Sequence, residues 1–370
     1  MSAAAEDQGF KRLCEDIFSR AVPLLDLRAP VEFAQGAFPG AVNLPILDDA
    51  EREKVGICYK QHGPQAAETL GHTLVSGASR ASRLHTWQTF LAANPDAWLY
   101  CFRGGKRSQL AEAWLRAEGS PVQRIPGGYK ALRHYLLGVL EATPPLLVLG
   151  GKTGCGKTDL LAGLERQVDL EKRANHRGSA FGKQIDGQPA QIDFENALGV
   201  DFLKLALLAP ELPVVVEDEG RAIGRVSLPL PLQAKMKVAP VILLEDDIAC
   251  RSERICNEYL VAQFAGLLAL HHDQTLAHDA HEAAFLESLA AVQKRLGGVA
   301  YQRLRGSMEM AFGAQRRGDF AQHQIWITDL LANYYDPMYD YQINNKAERI
   351  VFRGDFAAVT EYLLEQTALS

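Results

Sequence analysis

Two stretches of the chain hold reactive residue types at spacings a fold can use. The first is Trp98-Leu99-Tyr100-Cys101-Phe102-Arg103-Gly104-Gly105-Lys106-Arg107-Ser108. It reads as a buried strand ending on a cysteine, then a glycine loop. A helix follows, with Leu110, Ala111, Trp114 and Leu115 at helical spacing. Cys101 therefore sits at the carboxyl end of a strand, above the amino end of a helix. Unpaired N–H groups there favour an anion. Arg103, Lys106 and Arg107 add positive charge, which lowers a thiol pKa and favours the thiolate. Gly104 and Gly105 let the backbone curl around whatever the sulfur carries. A buried cysteine at a strand end is the plainer alternative; the cations and glycines of the loop favour the reactive reading.

The second stretch begins at the apolar strand Leu146-Leu147-Val148-Leu149. Gly151-Lys152-Thr153-Gly154-Cys155-Gly156-Lys157-Thr158 follows, then a helix over 158–166. This is G-x-x-x-x-G-K-[ST] in the strand–loop–helix setting it needs. Gly151, Gly154 and Gly156 allow successive N–H groups to form a nest for phosphate oxygens. Lys157 supplies a point charge and Thr158 a hydroxyl for Mg²⁺. Cys155 reads as a small filler. A second apolar strand, Leu212 to Val216, ends in Glu217-Asp218-Glu219, where a P-loop fold places the acid that orients Mg²⁺. Asp218 is that acid here, with Glu217 beside it. The acids after a third strand, Glu245-Asp246-Asp247, read as a helix start.

The elements around these loops alternate. A helix over 10–20 precedes a strand at 22–26, and a turn-rich crossover rich in Gly and Pro runs to Pro45. Helices follow over 49–61 and 64–93, with a break at Gly63-Pro64. Strand 97–101, helix 106–118, strand 122–125 and a helix from Gly128 to about 141 come next. Such alternation implies parallel sheets covered on both faces. Thr143-Pro144-Pro145 reads as a linker. From about 248 the chain is mostly helical, over 248–270, 274–296, 299–317 and 320–334. The run from Tyr334 to Tyr341 holds four tyrosines that either pack or stack on bases. A strand (349–352) and a helix (355–366) end the chain.

A chain of 370 residues, 47% hydrophobic and 23% charged, has room for two domains and an ordinary globular core. The net charge of −6 argues against a generic nucleic-acid coat, but basic clusters at 103–107, 166–183 and 294–305 leave room for local basic faces. No apolar run approaches a membrane span. The opening Met1–Gln8 lacks a signal pattern. The six cysteines show neither disulfide-framework nor zinc spacing, so a reducing cytoplasm is expected.

Asp26-x-Arg28, the Glu32 turn, Gly36-x-x-x-Gly40-Ala41-x-Asn43-x-Pro45, the Cys101 loop and Gly127-Gly128-Tyr129 together resemble a rhodanese domain. The resemblance implies an α/β domain whose loop cysteine carries a chalcogen atom as a persulfide-type adduct. Asp26 and Arg28 then read as a buried ion pair bracing the loop.

The chain as a whole resembles the bacterial tRNA 2-selenouridine synthases. The supporting residues are Tyr59-Lys60-Gln61 with Gly71, the Cys101 loop and the P-loop. Further support comes from His176-Arg177-Gly178-Ser179-x-Phe181-Gly182, Gln191 with Phe194-Glu195-Asn196, Glu217-Asp218-Glu219 with Ile223-Gly224, and Tyr334-Tyr335-Asp336-Pro337. The resemblance implies an α/β fold with a rhodanese-like domain over 1–142. A P-loop domain with a parallel sheet would occupy 143–370, helical from about 248.

It further implies action on wobble 2-thiouridine in tRNAs for lysine, glutamate and glutamine. The sulfur is first geranylated from geranyl diphosphate, and the geranylthio group is then replaced by selenium from selenophosphate. Cys101 would carry selenium, and Arg103 to Arg107 would attract selenophosphate. Gly151 to Thr158 would hold the diphosphate, and Thr158 with Asp218 would hold Mg²⁺. Gly71, Arg177, Ser179, Phe181, Gln191, Glu195 and Asn196 would support the site or contact tRNA. No tightly bound prosthetic group is implied; an enzyme supplying selenophosphate is a candidate partner. Two other readings stay open: an ATP-dependent tRNA sulfurtransferase, and a persulfide carrier whose P-loop domain is a nucleotide-controlled binding module.

Overall fold

The computed structural model describes residues 3–368; Met1, Ser2, Leu369 and Ser370 lie outside the described residues. The chain forms two compact units. The first comprises 1–143 with 190–208, the second 144–189 with 209–370.

In the first unit β1 (Leu24–Asp26), β2 (Ala41–Asn43), β3 (Trp98–Tyr100) and β4 (Gln123–Arg124) form a parallel sheet in the order β2-β1-β3-β4. Parallel strands need crossovers, and the crossover helices cover both faces. Leu24 and Tyr100 point to one face, where they meet Ile17, Phe18, Leu132, Leu136 and Val200. Leu25 and Leu99, of opposite parity, meet Leu84, Trp87, Ala111 and Leu115 on the other.

The break expected at Gly63-Pro64 is a kink inside the helix Asp49–Leu74, where Gly63 takes φ +83°. Pro64 has no N–H to continue the ladder. The expected helix over 64–93 is divided: the chain turns at Gly77 (φ +51°) and starts a new helix, Gly77–Ala93.

The helix Gln191–Leu208 departs from the division at 142/143. It packs Val200 and Leu203 against Leu136 of the helix Gly128–Glu141. At Gly199 any side chain would press on the Leu136 backbone. Its Phe194, Leu198 and Phe202 are buried as well.

The second unit is built on β5 (Leu146–Gly151), β6 (Gln167–Val168), β7 (Val214–Glu217), β10 (Val241–Leu244) and β11 (Ile350–Gly354), with a small hairpin of β8 (Ala222–Ile223) and β9 (Val226–Ser227). The main sheet runs β11-β10-β5-β7-β6, all parallel. β5, β7 and β10 are buried throughout, as a sheet covered on both faces requires. The helix after the P-loop ends at Ala162 rather than 166 because Gly163 caps it. The buried Arg166 then donates to the carbonyls of Ala209 and Leu212, both at 2.8 Å, which fixes the start of β6.

From Ile248 the chain is helical to Asn344 with short turns between helices. Two π-helical turns interrupt it, Cys256–Ala262 and Leu331–Tyr335. This part has its own core around Phe285, Leu289, Met308, Phe312 and Trp326. β11 and the helix Phe356–Thr367 then return to the sheet, burying Val359 and Leu363.

The pair Asp26–Arg28 is sealed in the first unit. Arg28 Nη2 donates to Asp26 Oδ2 at 2.7 Å and to the Gly36 carbonyl at 2.8 Å, and the guanidinium lies 3.8 Å from the Tyr129 ring centroid. Removing one partner of such a pair leaves a buried, unanswered charge. Arg28→Met should therefore cost about 3–5 kcal/mol. Trp87, Trp98 and Trp114 all belong to this unit, so urea unfolding followed by tryptophan fluorescence in a Trp326→Phe background measures it.

Candidate active sites

The phosphate loop is folded as its motif requires. Gly154 and Gly156 take φ +80° and +90°, values that strain other residues. A Cβ on Gly154 would also meet Ile255 at 2.8 Å. Lys157 Nζ donates to the Gly151 carbonyl at 3.1 Å, so the ammonium is already turned back over the loop. The loop opens on a cavity of about 500 Å³ lined by Gly154, Gly156, Lys157 and Thr158. Arg177 and Ser179 line it as well; Phe181 lies in an adjoining apolar slot.

Several residues of this site lie far along the sequence from the P-loop. Arg251 donates to both Asp336 oxygens, at 2.8 and 2.6 Å, and to the Thr153 carbonyl at 3.3 Å. Arg254 bonds the Gly154 carbonyl and, at 2.9 Å, Asp246. Asp336 is the acid of the Tyr334-Tyr335-Asp336-Pro337 run, so part of that run braces the P-loop. Of its tyrosines, Tyr335 is buried, Tyr339 lines the phosphate cavity and Tyr341 is exposed. Asp247 accepts from the N–H groups of Ala249 and Cys250, the helix-start role expected of it.

The metal pair read from the sequence needs correction. Thr158 lines the cavity, but the Asp218 carboxylate is held by Lys346 Nζ at 2.6 Å and is not part of the lining. The acids that do line it are Asp159, Asp169, Glu171, Glu219 and Glu258. Glu217 sits behind them, buried, and accepts from the Glu171 N–H at 3.0 Å. Asp169-Leu170-Glu171, an acid pair just after a short strand, is a signal present in the sequence but outweighed there by the longer acidic run at 217–219. Gly178 is explained here too: a side chain on it would collide with the carboxylates of Glu171 and Glu219.

Burial raises the pKa of these acids. Desolvation, with Glu217 and Glu219 nearby, pushes Glu171 up to about 9. Desolvation, with Asp169 nearby, pushes Glu217 up to about 8. For Lys157 burial works against the charge. The field of Cys155, Tyr339, Glu171 and Glu219 outweighs it, and the ammonium is held. The cavity thus holds a buried ammonium whose charge its surroundings favour, beside Glu171, whose carboxyl burial holds above the ordinary range.

At the other centre Cys101 ends β3 as expected. Its loop is locked by the start of the helix Gly128–Glu141. Tyr129 N–H donates to the Cys101 carbonyl at 2.9 Å and Lys130 N–H to the Phe102 carbonyl at 3.0 Å. Any side chain on Gly128 would strike the Cys101 carbonyl. The sulfur lies 3.2 Å from Ser108 Oγ, and residue 101 is 2% exposed.

The expected crown of free cations is not there. Arg107 is paired with Glu32 at 2.5 Å and Lys106 with Glu68 at 3.0 Å. Arg103 is exposed beside the Phe102 ring and makes no ion pair among the described residues. Carboxylates distant in sequence have claimed two of the three charges.

Gln191, Glu195 and Asn196 stand on the helix Gln191–Leu208 of the first unit. Gln191 donates to Glu195 at 2.8 Å, Glu195 pairs with Arg133, and Asn196, fully buried, donates to the Ala37 carbonyl at 2.7 Å. Asp193 accepts from the Ala37 N–H at 2.6 Å. These residues fasten the helix Gln191–Leu208 within the first unit. Gly71 lies on the helix Asp49–Leu74, where a side chain would meet Val55 at an easy 4.0 Å.

A description of the rhodanese-like domain matches residues 10–134, and that of the tRNA 2-selenouridine synthase AAA domain matches 144–369. The chain is thus an α/β enzyme that joins a rhodanese-like domain to a P-loop domain. It is 51% identical over 357 residues to a tRNA 2-selenouridine synthase of Ectopseudomonas mendocina, covering 95% of each chain. It is 48% identical to that of Verminephrobacter eiseniae, covering 94% of this chain and 96% of the other. The same enzyme of Shewanella oneidensis is 48% identical, with 96% of each chain covered. The chain belongs to the tRNA 2-selenouridine synthase family, which are tRNA-modifying transferases. Among the described residues no helix is long and apolar enough to cross a membrane.

Glu171 and Glu217 hold their protons to higher pH in the fold than in the unfolded chain. The fold therefore binds more protons between the ordinary carboxylate range and about pH 9, and stability falls as pH rises through that interval. Each such group contributes a slope of up to about 1.4 kcal/mol per pH unit. Glu171→Gln should flatten the loss, as urea denaturation of both proteins from neutral pH upward would show.

Proposed function

We propose that this enzyme converts wobble 2-thiouridine to 2-selenouridine in two steps served by two centres. In the first, the thiouridine sulfur attacks C1 of geranyl diphosphate. A C–S bond forms, the C–O bond breaks, and diphosphate leaves with the electron pair. The Gly151–Thr158 loop holds that diphosphate; Lys157 and the loop N–H groups stabilise the charge it gathers. In the second, the selenium of selenophosphate attacks C2: a C–Se bond forms, the C–S bond breaks and geranylthiolate leaves, taking a proton; water then cleaves the Se–P bond and phosphate is released. Cys101 serves this second step. The tRNAs are those for lysine, glutamate and glutamine, an enzyme that makes selenophosphate is the supplying partner, and the cytoplasm is the compartment.

The observation that carries this reading is the cavity at the P-loop: a fixed ammonium and a glycine nest open on about 500 Å³. It suits a diphosphate as a bound substrate. The reading separates the two centres. Cys101→Ser should abolish selenium incorporation and leave geranylation intact. Lys157→Ala should lower geranylation by about 100-fold or more. The assay is purified protein with thiolated tRNA and geranyl diphosphate, without nucleotide, read by mass spectrometry of nucleosides. An absolute requirement for ATP would overturn the diphosphate role and favour an ATP-dependent sulfurtransferase. Binding of tRNA should weaken steeply as salt is raised, because phosphate contacts release counterions; a filter-binding series checks this.

A further inference from the structure

Beside the phosphate cavity lies an apolar slot with no part in holding diphosphate. Phe181, Tyr259, Phe285, Trp326, Leu331 and Tyr335 are among its walls. Thr153, Ser179, Ile255 and Tyr259 border both spaces, so slot and phosphate cavity adjoin. The slot is narrow, with about 30 Å³ open. Its lining is mostly aliphatic and aromatic, which suits a carbon chain better than a base or a sugar ring.

Three rings form one wall. The centroid of Phe181 is 5.7 Å from that of Phe285, and Trp326 lies 6.0 Å from each. Trp326 turns its N–H to His323 Nδ1 at 2.9 Å, leaving its carbon face for the slot. Other walls stand on the two π-helical turns: Tyr259 on Cys256–Ala262, Leu331 and Tyr335 on Leu331–Tyr335. A π turn holds one residue too many for an α-helix and shifts register at small cost, which is why such turns recur at binding sites.

We propose that the slot takes the hydrocarbon tail of the allylic diphosphate whose head lies in the Gly151–Thr158 loop, and that the Phe181–Phe285–Trp326 wall limits the length of that tail. The proposal rests on the diphosphate reading above and adds the residues that choose the chain. The scissile C–O bond would then fall near Thr153 and Ser179, where polar and apolar spaces meet. A water-poor surrounding there protects an allylic carbon from hydrolysis while sulfur attacks it.

Calorimetric titration of the full-length protein with geranyl diphosphate and with inorganic diphosphate tests this. The wild type should bind geranyl diphosphate at least about tenfold more tightly, since each buried methylene adds to affinity. Leu331→Phe, which fills the slot, should bring geranyl diphosphate down to the level of inorganic diphosphate and leave the latter unchanged; retained diphosphate affinity shows that the variant is folded. Phe285→Leu, a gentler opening of the wall, should shift the ratio of farnesyl to geranyl diphosphate affinity by about fivefold toward farnesyl. Trp326 emission should change with geranyl diphosphate and not with inorganic diphosphate, and that change should vanish in Trp326→Phe. Equal wild-type affinity for the two ligands, or a Leu331→Phe variant that still prefers the prenyl one, overturns the slot while leaving the diphosphate cradle standing. No binding of inorganic diphosphate, or binding insensitive to Lys157→Ala, overturns the cradle itself.

Discussion

Both reactive centres depend on the carboxyl edge of a parallel sheet. A strand that ends there must turn at once into a helix, and the first N–H groups of that helix have no partner within it. β3 delivers Cys101 to such an edge and β5 delivers the Gly151–Thr158 loop to another. In each case the turn is tight enough that a second segment touches its backbone. At the sulfur loop that segment is Gly127-Gly128; at the phosphate loop it is the helix Ile248–Ile255. The glycines in both loops follow from this closeness as much as from any ligand. A Cβ at Gly104 would come within 2.8 Å of the Gly127 nitrogen, so those motif glycines are partners in one packing contact.

The two edges are tuned in opposite ways. At the phosphate loop, Lys157 is turned back onto the Gly151 carbonyl, and burial raises the pKa of Glu171 and Glu217. Arg251 and Arg254 are spent on loop carbonyls and on Asp336 and Asp246, holding the nest in shape. At the sulfur loop, the cations close in sequence are mostly neutralised by Glu32 and Glu68. What remains beside the sulfur is a hydroxyl, Ser108, and the start of a helix. The thiol is therefore shaped by backbone dipoles and by enclosure rather than by a ring of side-chain charge.

What could be read from the sequence divides along the same line. Strand, loop and helix at each centre are local, and their glycines and apolar spacing announce them. The ion pair Asp26–Arg28 was legible because its partners are two residues apart and its turn is spelled out by Gly36. The partners of Lys106, Arg107 and Asp218 were not, because Glu68, Glu32 and Lys346 lie between 38 and 128 residues away. The same distance hid Arg251 and Asp336. The partners within the fold of the Gln191–Asn196 run were hidden for the same reason: Glu195 and Asn196 meet Arg133 and Ala37, which are between 62 and 159 residues away.

The chemistry proposed for the chain gives a reason for keeping its sulfur so enclosed. Under that proposal a thiolate beside the bound allylic diphosphate would compete with the thiouridine sulfur for its carbon, so the cysteine in the phosphate loop is the one to enclose; the exposed Cys250 does not line that cavity. Cys155 stands within the phosphate loop itself but is 1% exposed. Cys101 is 2% exposed and sits on the sheet of the other unit. Under the same proposal, enclosure at 101 would keep the selenium centre from being alkylated in the geranyl step. Of the cations in its loop, Arg103 is exposed and makes no ion pair among the described residues.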